Sequence, residues 1–121
     1  MKPLLAKELD NFLKRFGYFR DSEFRHIEII SPTSIDLTFA AQDEAKEFDW
    51  VSITLEFNGV SSAMLLDNSK LNLVDMSDGI SIINKDNSFY FGIGRYITTS
   101  SIESSICQII SSTLKYQEGI F

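Results

Sequence analysis

The sequence predicts an α+β fold, with an N-terminal amphipathic helix packed on a curved, mainly antiparallel β-sheet of six to eight strands. Three observations carry this. Apolar residues near the N-terminus recur at helical spacing, the rest of the chain alternates with a period of two, and turn signals return at intervals of roughly ten residues. The length of 121 residues fits one domain over residues 1–121. A hydrophobic content of 44%, including 10 Phe, supplies enough apolar surface for one core.

Leu5, Leu9, Phe12, Leu13 and Phe16 share one helical face, and charged residues fall between them. The helix is expected over about residues 3–16, with Pro3 in its first turn and Gly17 as C-cap. Lys14 and Arg15 then sit at the negative end of its dipole. A strand over Arg25–Ile30, the turn Ser31-Pro32-Thr33-Ser34 and the alternating Ile35, Leu37 and Phe39 make a hairpin. Residues 41–47 are polar and read as a connecting loop or a single helical turn. Asp49–Phe57 is the clearest strand, with Val51, Ile53, Leu55 and Phe57 on one face and Trp50, Ser52, Thr54 and Glu56 on the other.

Asn58-Gly59 is a hairpin-turn dipeptide, so Val60–Leu66 is expected to return along the preceding strand. A turn at Asp67–Lys70, a short strand at Leu71–Val74 and a turn at Asp75–Gly79 follow. Ile80–Ile83 and the segment around Phe89, Phe91 and Ile93 read as strands either side of Asn84–Asn87. Residues 102–117 fit both a helical and an extended pattern, and their Ser-rich, β-branched composition favours strand.

The formal charge of −6 argues against nucleic acid as partner, because phosphate binding draws on basic residues. The acidity is concentrated in residues 27–86, which hold eleven acids and three lysines. No stretch approaches the ~20 apolar residues of a membrane span. Lys7, Glu8 and Asp10 interrupt any secretory h-region, and Cys107 is the one cysteine, so a cytoplasmic location is expected. His26 is the single histidine, which excludes a two-His zinc site within one chain. A pairing of Cys107 with His26 lacks an orienting third group, and Cys107 reads as a small buried hydrophobe. Gly92-Ile93-Gly94-Arg95 is half a dinucleotide fingerprint without the third glycine or a following helix. Asp75-Met76-Ser77-Asp78-Gly79 lacks the ligand spacing of a calcium loop and reads as a turn. No cofactor or metal is expected, and nothing in the sequence supports an enzyme.

The remaining feature is the cluster Asp43, Glu44, Glu47 and Asp49, offset only by Lys46 and adjoined by Phe48 and Trp50. Four carboxylates beside aromatic residues would steer and anchor a basic partner. The plainer reading is a solvated loop, and Trp50 also fits a core position. Residues 49–96 carry the strand Trp50-Val51-Ser52-Ile53, the turns Asn58-Gly59-Val60 and Asp75-Met76-Ser77-Asp78-Gly79-Ile80, and Phe89-Tyr90-Phe91-Gly92-Ile93-Gly94. In this they resemble immunity proteins of bacterial contact-dependent and polymorphic toxin systems. That resemblance implies a non-catalytic protein that binds one cognate toxin domain and blocks its active site or substrate groove. It assigns no residue by position. Two other readings stand beside it: an acidic secretion chaperone, which a helical C-terminus would favour, and a binder of a small apolar ligand among Phe39, Phe57, Phe89 and Phe91.

Overall fold

The two-residue alternation that dominates the chain after residue 22 builds most of the fold, and all residues 1–121 are described in this computed structural model. Nine strands form: β1 (Lys2–Pro3), β2 (Glu23–Ser31), β3 (Ser34–Asp43), β4 (Asp49–Asn58), β5 (Ser62–Met64), β6 (Ile80–Lys85), β7 (Ser88–Ile93), β8 (Gln108–Ser111) and β9 (Thr113–Gly119). Two short helices accompany them, α1 (Leu9–Arg15) and α2 (Thr99–Ile102). The architecture is α+β and antiparallel, as expected. The strands divide between two sheets, ordered β1-β9-β4-β3-β2 and β5-β8-β7-β6, which corrects the expectation of one sheet with six to eight strands.

One core serves both sheets. The first sheet turns Leu37, Phe39, Ile53, Leu55 and Phe57 inward, each fully buried, and Phe57 meets Phe91 of β7 edge to face with ring centres 5.3 Å apart. The helix covers another part of that inner face. Phe12 lies 4.8 Å from the Tyr116 ring, Phe19 lies 5.4 Å from Phe39, and Phe24 of β2 stacks on Phe39 at 4.6 Å. Such aromatic pairs add about 1 kcal/mol each beyond the area they bury.

The helix is shorter than its apolar face suggests. Ala6–Glu8 form a 3₁₀ turn before α1, and Pro3 lies in β1 opposite Lys115, with the Leu4 N–H donating to the Leu114 carbonyl at 2.9 Å. Proline lacks a ladder donor, which an outer strand tolerates. Gly17 takes φ +60° after the helix, as its C-cap reading requires, and Tyr18, Phe19 and Asp21 are left-handed too. That winding turns Phe19 into the core, where it is fully buried.

Two expected strand pairings give way to tertiary demands. Residues 60–66 do not return along β4, because β9 occupies that edge with Asn58 opposite Thr113, and β5 pairs instead with β8 in the second sheet. The chain therefore changes sheets at Gly59 and changes back at Ser112, whose N–H lies 3.1 Å and 3.2 Å from the carbonyls of Asn58 and Gly59. Residues 71–74 are not a strand. Asn68–Leu73 form a 3₁₀ helix capped by Asp67, because the buried side chain needed here is Leu71 alone, not an alternating set. The Asn68 carboxamide pairs with both main-chain groups of Ile27, at 2.8 and 2.9 Å, in place of a neighbouring strand. Residues 108–111 and 113–119 are strands, in line with the composition, and helical character is confined to α2. No helix is long and apolar enough to cross a membrane.

Gly79 has φ +70°, and a Cβ there would overlap the Tyr18 carbonyl oxygen and approach the Arg20 amide nitrogen to 2.8 Å. Both are backbone atoms that cannot rotate away. Gly79→Ala is expected to cost more than about 2 kcal/mol, read as a lowered urea midpoint with unchanged slope.

Candidate partner-binding site

The β3–β4 hairpin brings Asp43 and Asp49 opposite each other and closes through a 3₁₀ turn at Glu44–Lys46. Asp43 caps that turn, accepting the Ala45 N–H at 2.9 Å. Its carboxylate also receives a two-pronged contact from Arg15, 2.9 Å from Nε and 2.6 Å from Nη2. The same guanidinium reaches Glu118 of β9 at 2.8 Å and lies 4.7 Å from the centre of the Phe16 ring. The Arg15 hydrogen bonds hold the Asp43 carboxyl below the usual carboxylate range, and the same contacts hold the Arg15 guanidinium above its ordinary value. Asp43 is 0% exposed and is not a steering charge, which corrects its place in the acidic cluster. Asp43 continues the inward series Ile35, Leu37, Phe39 and Ala41, and the two-pronged contact from Arg15 sets it apart from Asp49 across the hairpin.

The other five residues of the cluster, Glu44, Glu47, Phe48, Asp49 and Trp50, are exposed. Glu47 and Phe48 have φ of +55° and +65°, a left-handed conformation that is uncommon for a bulky side chain and costs on the order of 1 kcal/mol or more per residue. It is held by the Phe48 N–H to Asp43 carbonyl bond at 2.9 Å and by the Gln42 side-chain amide donating to the Phe48 carbonyl at 3.2 Å. The outcome is a Phe48 side chain 61% exposed, with carboxylates on its neighbours.

Trp50 lies on the outer face of the first sheet, opposite to the helix, and so does not belong to the core. Its ring is 5.8 Å from Phe121, and the Arg25 guanidinium stands 4.5 Å over the other ring of that pair, Phe121. Arg25 sits where the β2–β3 register shifts, and such a bulge re-aims a side chain. Neither Arg25 nor Phe121 was legible as part of this surface, because a bulge and a chain segment beyond a strand leave no periodic signal. Farther along the same face, Glu28, Asp36 and Glu56 lie in one cross-strand row. Burial, then Glu56 and Glu28, push the Asp36 carboxyl up. Strand alternation alone puts Asp36 and Glu56 on a shared face, so this row could have been found from the hairpin register.

The residues weighed for catalysis are not brought together. Cys107 is fully buried before β8, where burial pushes its thiol up to about 12, and His26 is exposed on β2 of the other sheet. Asp75 accepts the Ser77 N–H at 2.9 Å, as a turn-initiating aspartate does. Gly92 sits in β7 with Tyr96, Ile102 and Ser105 within 3.3 Å of where its Cβ would be. No three His, Cys, Asp or Glu side chains are placed to hold a metal ion. No protein-family model, curated protein or solved structure matches this chain.

Asp43 and Asp36 should respond to pH with opposite sign. Asp43 has a depressed carboxyl, so its contribution is present above the unfolded value of about 4 and is lost as the pH falls through the folded one. Asp43→Asn is expected to lower the melting temperature at pH 7, with the difference narrowing in acid. Asp36 has a raised carboxyl, so its ionisation opposes folding as the pH rises. Asp36→Asn should raise the melting temperature at pH 7 and leave it unchanged well below pH 4, a pattern that paired thermal melts over pH would check.

Arg15→Ala strands the buried Asp43 carboxylate and is expected to cost about 2 kcal/mol, less than a fully buried pair because Arg15 is 28% exposed. Chemical denaturation at neutral pH measures it.

Proposed function

We propose that this chain is a non-catalytic binding protein that neutralises a basic partner, and specifically an immunity protein that blocks the active site or substrate groove of a cognate, nuclease-like toxin domain in the cytoplasm. The observation that carries this is Phe48, exposed on a left-handed hairpin tip among Glu44, Glu47 and Asp49. Backbone strain supports an exposed aromatic residue here where a solvated loop would need none. Three carboxylates at one tip present a negative potential that speeds capture of a basic surface, and Phe48 is an anchor of the type that dominates binding energy. In a groove built for phosphates, the carboxylates stand where phosphates would. The Trp50, Phe121 and Arg25 group extends the contact onto the sheet, and the resemblance of residues 49–96 to toxin-neutralising proteins points the same way.

Against a secretion chaperone stands the C-terminal pair β8 and β9, where that reading prefers a helix. Against a small apolar ligand stands the packing of Phe39 on Phe19 and Phe24, and of Phe57 on Phe91, which spends those rings on the core.

The test is capture from a lysate of the source cells at low and high salt, followed by binding kinetics with the retained protein. Stoichiometric retention of one basic protein, weakened by salt, is expected. Reversing Glu44, Glu47 and Asp49 to Lys should slow association about ten-fold or more at low salt, while Phe48→Ala should mainly speed dissociation. Unchanged association after charge reversal would remove the hairpin tip as the site.

A further inference from the structure

Each sheet has a long outer strand, β2 in the first and β6 in the second, and such an edge is a row of main-chain donors and acceptors. The two edges are finished differently. On β2, Asn68 occupies both main-chain groups of Ile27. On β6 no side chain has that role. The two-residue turn Asp86-Asn87, with φ of +52° and +60°, makes Lys85 and Ser88 a hydrogen-bonded pair. The antiparallel ladder then alternates, so Ser81 and Ile83 bond β7 while Ile80, Ile82 and Asn84 direct their N–H and C=O away from it. The Gly94 N–H to Gly79 carbonyl bond, 2.9 Å, keeps the same parity beyond the strand.

No protein group bonds the outward N–H and C=O of Ile80 and Ile82. The Ile80 and Ile82 side chains are buried in the core, so what these residues present to the edge is their main chain. They border a groove of about 410 Å³ that takes in Ile80–Ile83, the rings of Tyr18 and Tyr96, and Ile97, which is 95% exposed. Of the four arginines, Arg15 and Arg25 are ion-paired and Arg20 and Arg95 are not, and both unpaired guanidiniums line this groove. Arg20 is held 5.2 Å over the Tyr18 ring. Asp10 and Asp78 share the lining without forming an ion pair with either arginine.

We propose that the β6 edge is a β-augmentation site: an extended segment of a partner protein, with alternating apolar residues and at least one carboxylate, adds beside Ile80–Asn84 as a fifth strand of the second sheet. Its main chain satisfies Ile80 and Ile82, its alternate side chains rest on Tyr18 and Ile97, and its carboxylate meets Arg20 or Arg95. This surface belongs to the other sheet from the acidic hairpin tip and does not rest on the function assigned to that tip.

The test uses the intact protein, a displayed random dodecapeptide library as probe, and amide hydrogen exchange by residue. In the free protein the Ile80 and Ile82 amides should exchange faster than those of Ser81 and Ile83. Selected peptides should alternate apolar residues around an Asp or Glu and should slow Ile80 and Ile82 on binding. Arg20→Ala with Arg95→Ala, both exposed, should weaken that binding about five-fold, whereas Phe48→Ala leaves it unchanged. Selected peptides that leave Ile80 and Ile82 exchange untouched, or a selection that enriches none, would overturn the proposal. Protection that rises with protein concentration alone would also overturn it, by assigning the edge to a second copy.

Discussion

One guanidinium ties together three parts of the chain that are far apart in sequence. Arg15 ends the helix, grips Asp43 at the end of β3, and reaches Glu118 on β9 while lying against Phe16. The energy that holds helix to sheet comes mostly from buried rings, Phe12, Phe16, Phe19, Phe24 and Phe39 among them. Apolar packing is tolerant of small slips, whereas a two-pronged carboxylate contact is not. Arg15 therefore fixes where the end of the helix sits on the sheet, and the Asp43 it holds caps the hairpin turn that carries Phe48 at its end.

Much of the fold was legible because it is written in local period. The alternation of Ile35, Leu37 and Phe39 against Val51, Ile53, Leu55 and Phe57 appears residue for residue in the β3–β4 register. The illegible parts are those decided by competition between distant segments. Asn58-Gly59 has the chemistry of a hairpin turn, yet β9 takes the edge that a hairpin would have used. Leu71 and Val74 look extended, but Asn68 is needed as a stand-in for a strand beside Ile27, and a 3₁₀ turn places it there. For the candidate site, composition located the acidic exposed loop and its aromatic residues. It could not tell Asp43 from Asp49, which face each other across the hairpin, because only the position of Arg15 distinguishes a paired carboxylate from a free one.

Charge is distributed by function of place. Acids gather in two places, the Glu28, Asp36 and Glu56 row on the outer face of the first sheet and the hairpin tip, and burial with its acidic neighbours pushes the Asp36 carboxyl up. Arg20 and Arg95 stand apart from both, beside the second sheet. The two proposed sites therefore differ in character, one resting on long-range field and the other on main-chain pairing.

The two changes of sheet, at Gly59 and Ser112, have a bearing on how the chain reaches this state. β4 has β3 on one side and β9 on the other, so one flank pairs with its immediate predecessor and the second waits for a strand made after all the others. β1 waits for β9 as well. During synthesis the helix and the β2–β3–β4 meander can gather early, but Leu55 and Phe57 stay open on one flank until β9 emerges. Completion is thus a late, long-range closure, and until that moment β4 stands as an open edge of the principal sheet.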